Sequence, residues 1–161
     1  MSTQTQKYPL DYNITKRSCL LMFLLFLPFN AIHEVGHLAV CYGTGHTGYL
    51  GISLMYSYAV CNANLDNSLV FRFAGGWLAT IVALAPLTVK AVRSKAYFVV
   101  PLLSFAIAHF LNAIVETFAH EWYMGGRTEP TIVISMASFA IFIGLLVAFA
   151  RNKKIEVSQD H

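Results

Sequence analysis

Apolar residues arrive along this chain in four long blocks, separated by short polar stretches. The first runs from about Cys19 to Cys41, the second from about Leu69 to Val89, the third from about Ala96 to Ala119 and the fourth from Thr131 to Ala150. Each block has the ~20 apolar residues that carry a helix across a bilayer. The pattern predicts an all-α integral membrane protein of about four transmembrane helices, the first kinked at Pro28. Only the fourth block, TIVISMASFAIFIGLLVAFA, is free of ionisable residues. Residues 43–68, between the first two blocks, are too polar and glycine-rich to span. Within them YLGISLMYSYAV has the β-branched and aromatic content of short strands, and predicts a small β-hairpin or re-entrant element. The layout is therefore an N-terminal segment (1–18), a membrane domain with four transmembrane helices (19–150) and a loose C-terminal tail (151–161).

Composition agrees. Hydrophobic residues make up 57% of the 161 and DEKR 12%, against about 25% charged in a soluble domain. The net charge of +3 matters less than where it lies. Lys7, Lys16 and Arg17 precede the first block, Lys90, Arg93 and Lys95 join the second to the third, and Arg151, Lys153 and Lys154 follow the fourth. The opposite side has Arg72, and Arg127 in a loop shared with Glu121 and Glu129. A multi-pass protein with both termini cytoplasmic is expected. No basic stripe interleaves with aromatics, so nucleic acid is not an expected partner. No cleavage site for a signal peptide is evident. Cys19, Cys41 and Cys61 show no CxxC spacing. Cys41 and Cys61 read as buried free thiols rather than a bridge, pairing being open to them only on an oxidising side of the membrane.

Against this background the stretch AIHEVGHLAV (Ala31–Val40) is anomalous. It places two histidines and a glutamate in a block built for hydrocarbon, where an unpaired charge costs on the order of several kcal/mol. His33 and His37, four apart on one helix, project from one face and can share a zinc ion. Zinc lowers the pKa of a water that it holds to about 7, and Glu34 is placed to take its proton. Hydrogen bonding between spans is the competing explanation, but it leaves two blocks carrying many costly groups without a purpose.

The third block offers the remaining ligand. His109, Asn112, Glu116 and His120 fall within about 80° of one helical face. With both blocks running outward, His33 and His37 lie about 14 and 18 residues from the start of theirs and Glu116 about 20 from the start of its own, at similar depth with ~1.5 Å rise per residue. Glu116 is the expected third ligand and His120 the alternative. Asn112 is read as a donor to the oxyanion of a tetrahedral intermediate or to the peptide, and His109 as a buried, satisfied histidine.

HEVGHLAVCYGTG, followed by AGGWLATIVALAP at the opening of the second block, resembles the site-2 protease family of intramembrane zinc metalloproteases. The resemblance covers about residues 20–120. It implies a three-span core with the HExxH on its first span and a third ligand on its last, and substrates that are single-span helices cut in or near the membrane. That family usually supplies its third ligand as an aspartate in an Asn-Pro-…-Asp-Gly type motif. Here the aspartates are Asp11, Asp66 and Asp160, none in the third block, so Glu116 or His120 takes that place. The segment ETFAH resembles the Glu-x-x-Ala-Asp ligand motif of the CAAX-type membrane proteases, which favours glutamate.

The leading expectation is an intramembrane zinc endopeptidase, with an unwound substrate strand pairing along an edge in residues 47–60 and Tyr49, Tyr56 and Tyr58 at the interface. Access to the site is expected to depend on a mobile span, a regulatory subunit or a second copy. The alternative is a metal-binding but non-proteolytic membrane protein, a transporter or sensor subunit. A transporter needs polar groups along both halves of a pathway, and the inner halves of these blocks are almost purely apolar.

Overall fold

The structure is a computed structural model that describes residues 10–53, 57–65, 67–124 and 129–157. Lys7, Tyr56, Asp66, Arg127 and Asp160, and the ends of the N-terminal and C-terminal segments, lie outside the described residues. The element order is α1 (Tyr12–Gly43), β1 (Gly48–Ile52), β2 (Ser57–Cys61), α2 (Leu69–Leu84), α3 (Lys90–Arg93), α4 (Ala96–Phe118), α5 (His120–Met124) and α6 (Glu129–Val157). Four helices, over Tyr12–Gly43, Leu69–Thr88, Ala96–Phe118 and Ile132–Ala150, are long and apolar enough to cross a membrane. The fold class is as the sequence pattern predicts.

Several boundaries move, each for a local reason. Helix α1 starts at Tyr12 rather than Cys19, because the Asp11 carboxylate accepts from the Asn13 and Ile14 backbone N–H groups and satisfies donors that a helix start leaves open. Pro28 lies inside α1, which continues through it. Helix α2 gives way to a 3₁₀ turn over Ala85–Thr88, with Pro86 at its start; proline has no N–H to continue the α-helical ladder. Helix α6 runs on to Val157, so the expected loose tail begins as helix.

Helix α2 lies between α1 and α4, and small residues set how closely they approach. A Cβ at Gly36 would meet the α2 backbone at Ala74 and at Gly75, whose Cα is 2.7 Å from that position. One at Gly76 would meet the α4 backbone, with Ala113 N at 2.8 Å. Backbones this near each other are the packing that small residues permit between membrane helices. The Thr80 hydroxyl donates to Gly76 O (2.7 Å) and lies 3.2 Å from Ala106 O on α4. Phe29 of α1 stacks on Phe105 of α4, ring centroids 4.7 Å apart. Around them Ala79, Ala83, Leu102 and Ala106 complete a core. Helix α6 packs chiefly on α4, with Phe142, Leu146 and Ala150 closing over Val100 and Ile14.

The hairpin falls where the pattern places it. Strands β1 and β2 pair antiparallel, from Gly48 opposite Cys61 to Ile52 opposite Ser57. Gly45, at φ 82°, makes the left-handed turn out of α1 that residues with a Cβ rarely adopt. The hairpin then folds back on α1. Tyr42 Oη donates to Gly48 O (2.6 Å), and Cys41 and Cys61 are joined in a disulfide, Cα–Cα 6.0 Å. The reading of Cys41 and Cys61 as free thiols is thereby corrected. The antiparallel return brings the last residue of β2 beside the last turn of α1, a proximity that spacing along the chain does not reveal. Cys19 is the free cysteine among the described residues.

Candidate metal centre

The geometry brings together three of the side chains picked out from the sequence. His33 and His37 of α1 and Glu116 of α4 each offer a ligand atom, all within 4.8 Å of one another. All three are buried, none exposing more than 9% of its surface. His33 Nε2 stands 3.1 Å from Glu116 Oε1 and 3.2 Å from His37 Nε2, and His37 Nε2 is 3.6 Å from Glu116 Oε2. Two donors bound at ~2.0–2.1 Å to a tetrahedral ion stand about 3.3 Å apart, so the spacings bracket the value that such an ion requires.

The ring of His37 is oriented for this task. Its Nδ1 donates to Phe71 O on α2 (2.8 Å), because a carbonyl oxygen can only accept. A neutral His37 then carries a lone pair on Nε2. That lone pair faces the Nε2 of His33, an arrangement that a proton or a cation between them stabilises. Gly75 supplies the room: a Cβ there would collide with His37 Nε2 and stand 2.8 Å from His33 Nε2. The site is a pocket left by a missing side chain on α2, filled by imidazoles from α1.

The remaining candidates occupy distinct places. Glu34 adjoins the group and its Oε2 accepts from the backbone N–H of Ala59 on β2 (2.9 Å), so the hairpin holds this carboxylate. Asn112 Nδ2 donates to Glu116 Oε1 (3.0 Å), an i, i+4 contact along α4; its amide orients the carboxylate. His120 lines the same cavity as Glu34, His37 and Glu116 but stands outside the three-residue group. Helix α4 ends at Phe118, and Ala119 at its C-cap leaves the helical conformation, so the single face expected to run from His109 to His120 is broken before His120. His109 is buried against His33, Nδ1 to Nδ1 3.4 Å.

Two cavities of about 640 Å³ reach the group from different sides. One runs along β2, with Ala59, Asn62 and Arg72 in its wall beside Glu34, His37 and Glu116. The other lies among α1, α4 and α6 and is mostly apolar, and it reaches His33, Glu34, His109 and Asn112. Glu34 borders both.

Sequence reasoning missed Phe71 O and Ala59 N–H because they are backbone groups, and a residue type says nothing about where its peptide points. Gly75 did carry a signal, the small-residue run AGG at the start of the second block. No protein-family model, curated protein or solved structure matches the chain.

Proposed function

We propose that this protein is an intramembrane zinc endopeptidase that hydrolyses a peptide bond in or near the membrane-spanning segment of a single-span substrate. The observation that supports it most is the convergence of His33, His37 and Glu116 at ligand spacing, with Glu34 beside them on the wall of two cavities. Two imidazoles and one carboxylate are a donor set suited to zinc, leaving a fourth position open as catalysis requires. Zinc, when bound there, polarises the scissile carbonyl and makes water nucleophilic near neutral pH.

The chain's own residues do the rest. Glu34, held through Oε2 by Ala59 N–H, takes one proton from the attacking water as its oxygen bonds to the carbonyl carbon. It returns that proton to the departing nitrogen as the C–N bond breaks, giving an acid and an amine. Asn112 keeps Glu116 turned toward the histidines. The substrate's apolar helix approaches through the cavity bounded by α1, α4 and α6, and its unwound residues lie along β2, where backbone groups meet partners that lipid cannot offer. The Cys41–Cys61 disulfide favours an oxidising compartment at this end, in keeping with cytoplasmic termini deduced from Lys and Arg.

The test uses purified protein, metal analysis and a single-span reporter. Glu34→Gln is expected to retain zinc and lose cleavage by about 10²-fold or more. Glu116→Ala is expected to lose zinc, and His120→Ala to keep it. Undiminished cleavage by Glu34→Gln would overturn the protease reading and leave a metal-binding membrane protein of the transporter or sensor kind. Loss of zinc from His120→Ala alone would move the third ligand to His120.

A further inference from the structure

We propose that His109 is a positioning residue for the metal centre, accepting a hydrogen bond from Nδ1–H of His33 and so committing Nε2 of His33 to the ion. The inference rests on the zinc reading and goes beyond it by assigning a role to a fourth buried side chain.

A histidine that ligates through one ring nitrogen needs a partner on the other, which fixes the tautomer and the ring plane. His37 has its partner in Phe71 O on α2. For His33 the corresponding place is taken by His109, whose Nδ1 lies 3.4 Å from His33 Nδ1. This is the edge of the His33 ring away from Glu116, which sits 3.1 Å from Nε2. His109 therefore lies behind a ligand rather than among the ligands, in accord with its absence from the three-residue group.

His109 is itself held in place. Its ring lies beside the stacked Phe29–Phe105 pair, centroids 6.2 and 6.3 Å away, and it is only 8% exposed. The two rings of the histidine pair sit 5.4 Å apart at 38°, so the Nδ1 atoms meet at their edges without stacking. Helix α4 thus serves each end of the donor set: Glu116 as ligand, Asn112 behind Glu116, and His109 behind His33. A buried imidazole against an unlike surface would be a costly way merely to fill space. Placed here, its lone pair has a donor to receive.

The experiment measures zinc affinity by chelator competition on the full chain in detergent, together with the visible spectrum of the cobalt(II)-substituted protein. His109→Phe keeps an aromatic ring beside the Phe29–Phe105 pair and removes the acceptor. Zinc affinity is expected to fall about 10–100-fold and the cobalt bands to change, because His33 is no longer held in one plane. In His109→Asn the amide oxygen takes the place of Nδ1, and most of the affinity and the parental spectrum are expected to return. Zinc binding by His109→Phe as tight as in the parent, or no recovery in His109→Asn, would overturn the assignment. Should the phenylalanine variant not fold, His109→Leu replaces it under the same criteria. A parent that holds no zinc would instead defeat the protease reading itself, so the two failures are told apart by the first measurement.

Discussion

Helices α2 and α6 are both apolar and both long enough, α2 with its 3₁₀ extension, to cross a membrane, yet they stand in opposite relations to the site. Helix α2 is clasped between α1 and α4, and touches the candidate metal centre through what it lacks at Gly75 and through the carbonyl of Phe71. Helix α6 presents most of its described surface outward, with Met136 at 68% and Phe139 at 65% exposure, and among the described residues it borders the site as one wall of a cavity. Hydropathy gives α6 the higher value of the two. The more apolar helix is the less specified one, because lipid and a side chain such as leucine are alike to it. Specificity comes instead from small residues and backbone groups.

The largest effect that would break this contrast belongs to Gly75. In Gly75→Ala the three atoms nearest the new methyl belong to the imidazoles of His37 and His33, side-chain atoms that can swing away. The fold is therefore expected to survive while the histidines leave ligand positions whose tolerance is about ±0.2 Å. Zinc affinity should drop by at least about 100-fold with the helical circular dichroism spectrum unchanged. Zinc bound as tightly as in the parent would show that the α2 cleft does not shape the site.

The same contrast explains what the chain's residue pattern discloses and what it conceals. The four spans and the hairpin are legible because burial in lipid and pairing of short strands each leave a repeating signature over many residues. His33, Glu34, His37 and Glu116 are legible because each is costly in hydrocarbon, which makes its presence informative. Two things are hidden. The Cys41–Cys61 bridge depends on the path of the chain between α1 and β2, which no spacing rule gives. The roles of Phe71, Ala59 and His109 depend on which atom faces which. Asn112 lies between these cases: its residue type and helical face marked it as a candidate, but its donation to Glu116 is a matter of which atom faces which.

A smaller effect sharpens the role of α2 away from the metal. Thr80 is the hydroxyl that links α2 to α4, donating to Gly76 O with Ala106 O also within reach. Thr80→Val keeps the shape and removes the donor. Interhelical hydrogen bonds in a bilayer average about 0.6 kcal/mol and reach about 1.7, so a loss in that range is expected in the unfolding free energy measured by denaturant titration in mild detergent. Zinc affinity should stay within about twofold, since Thr80 touches no ligand. A loss of metal on this substitution would mean that α2 and α4 transmit small shifts directly to Glu116.

The smallest effect is expected on α6. Met136 and Val133 are 68% and 52% exposed, and their surroundings in a membrane are as apolar as they are. Truncating both to Ala removes contacts with lipid rather than with protein, and should change stability by no more than about 0.5 kcal/mol and leave zinc content and reporter cleavage alone. The substitution is informative because of what else could lie on that face. A regulatory subunit or a second copy of the chain packed there would bury these two side chains in the assembly, and their truncation would then lower cleavage or change the oligomeric state while zinc stayed bound. Equal cleavage and an unchanged oligomer would show that neither a regulatory subunit nor a second copy occupies this face of α6.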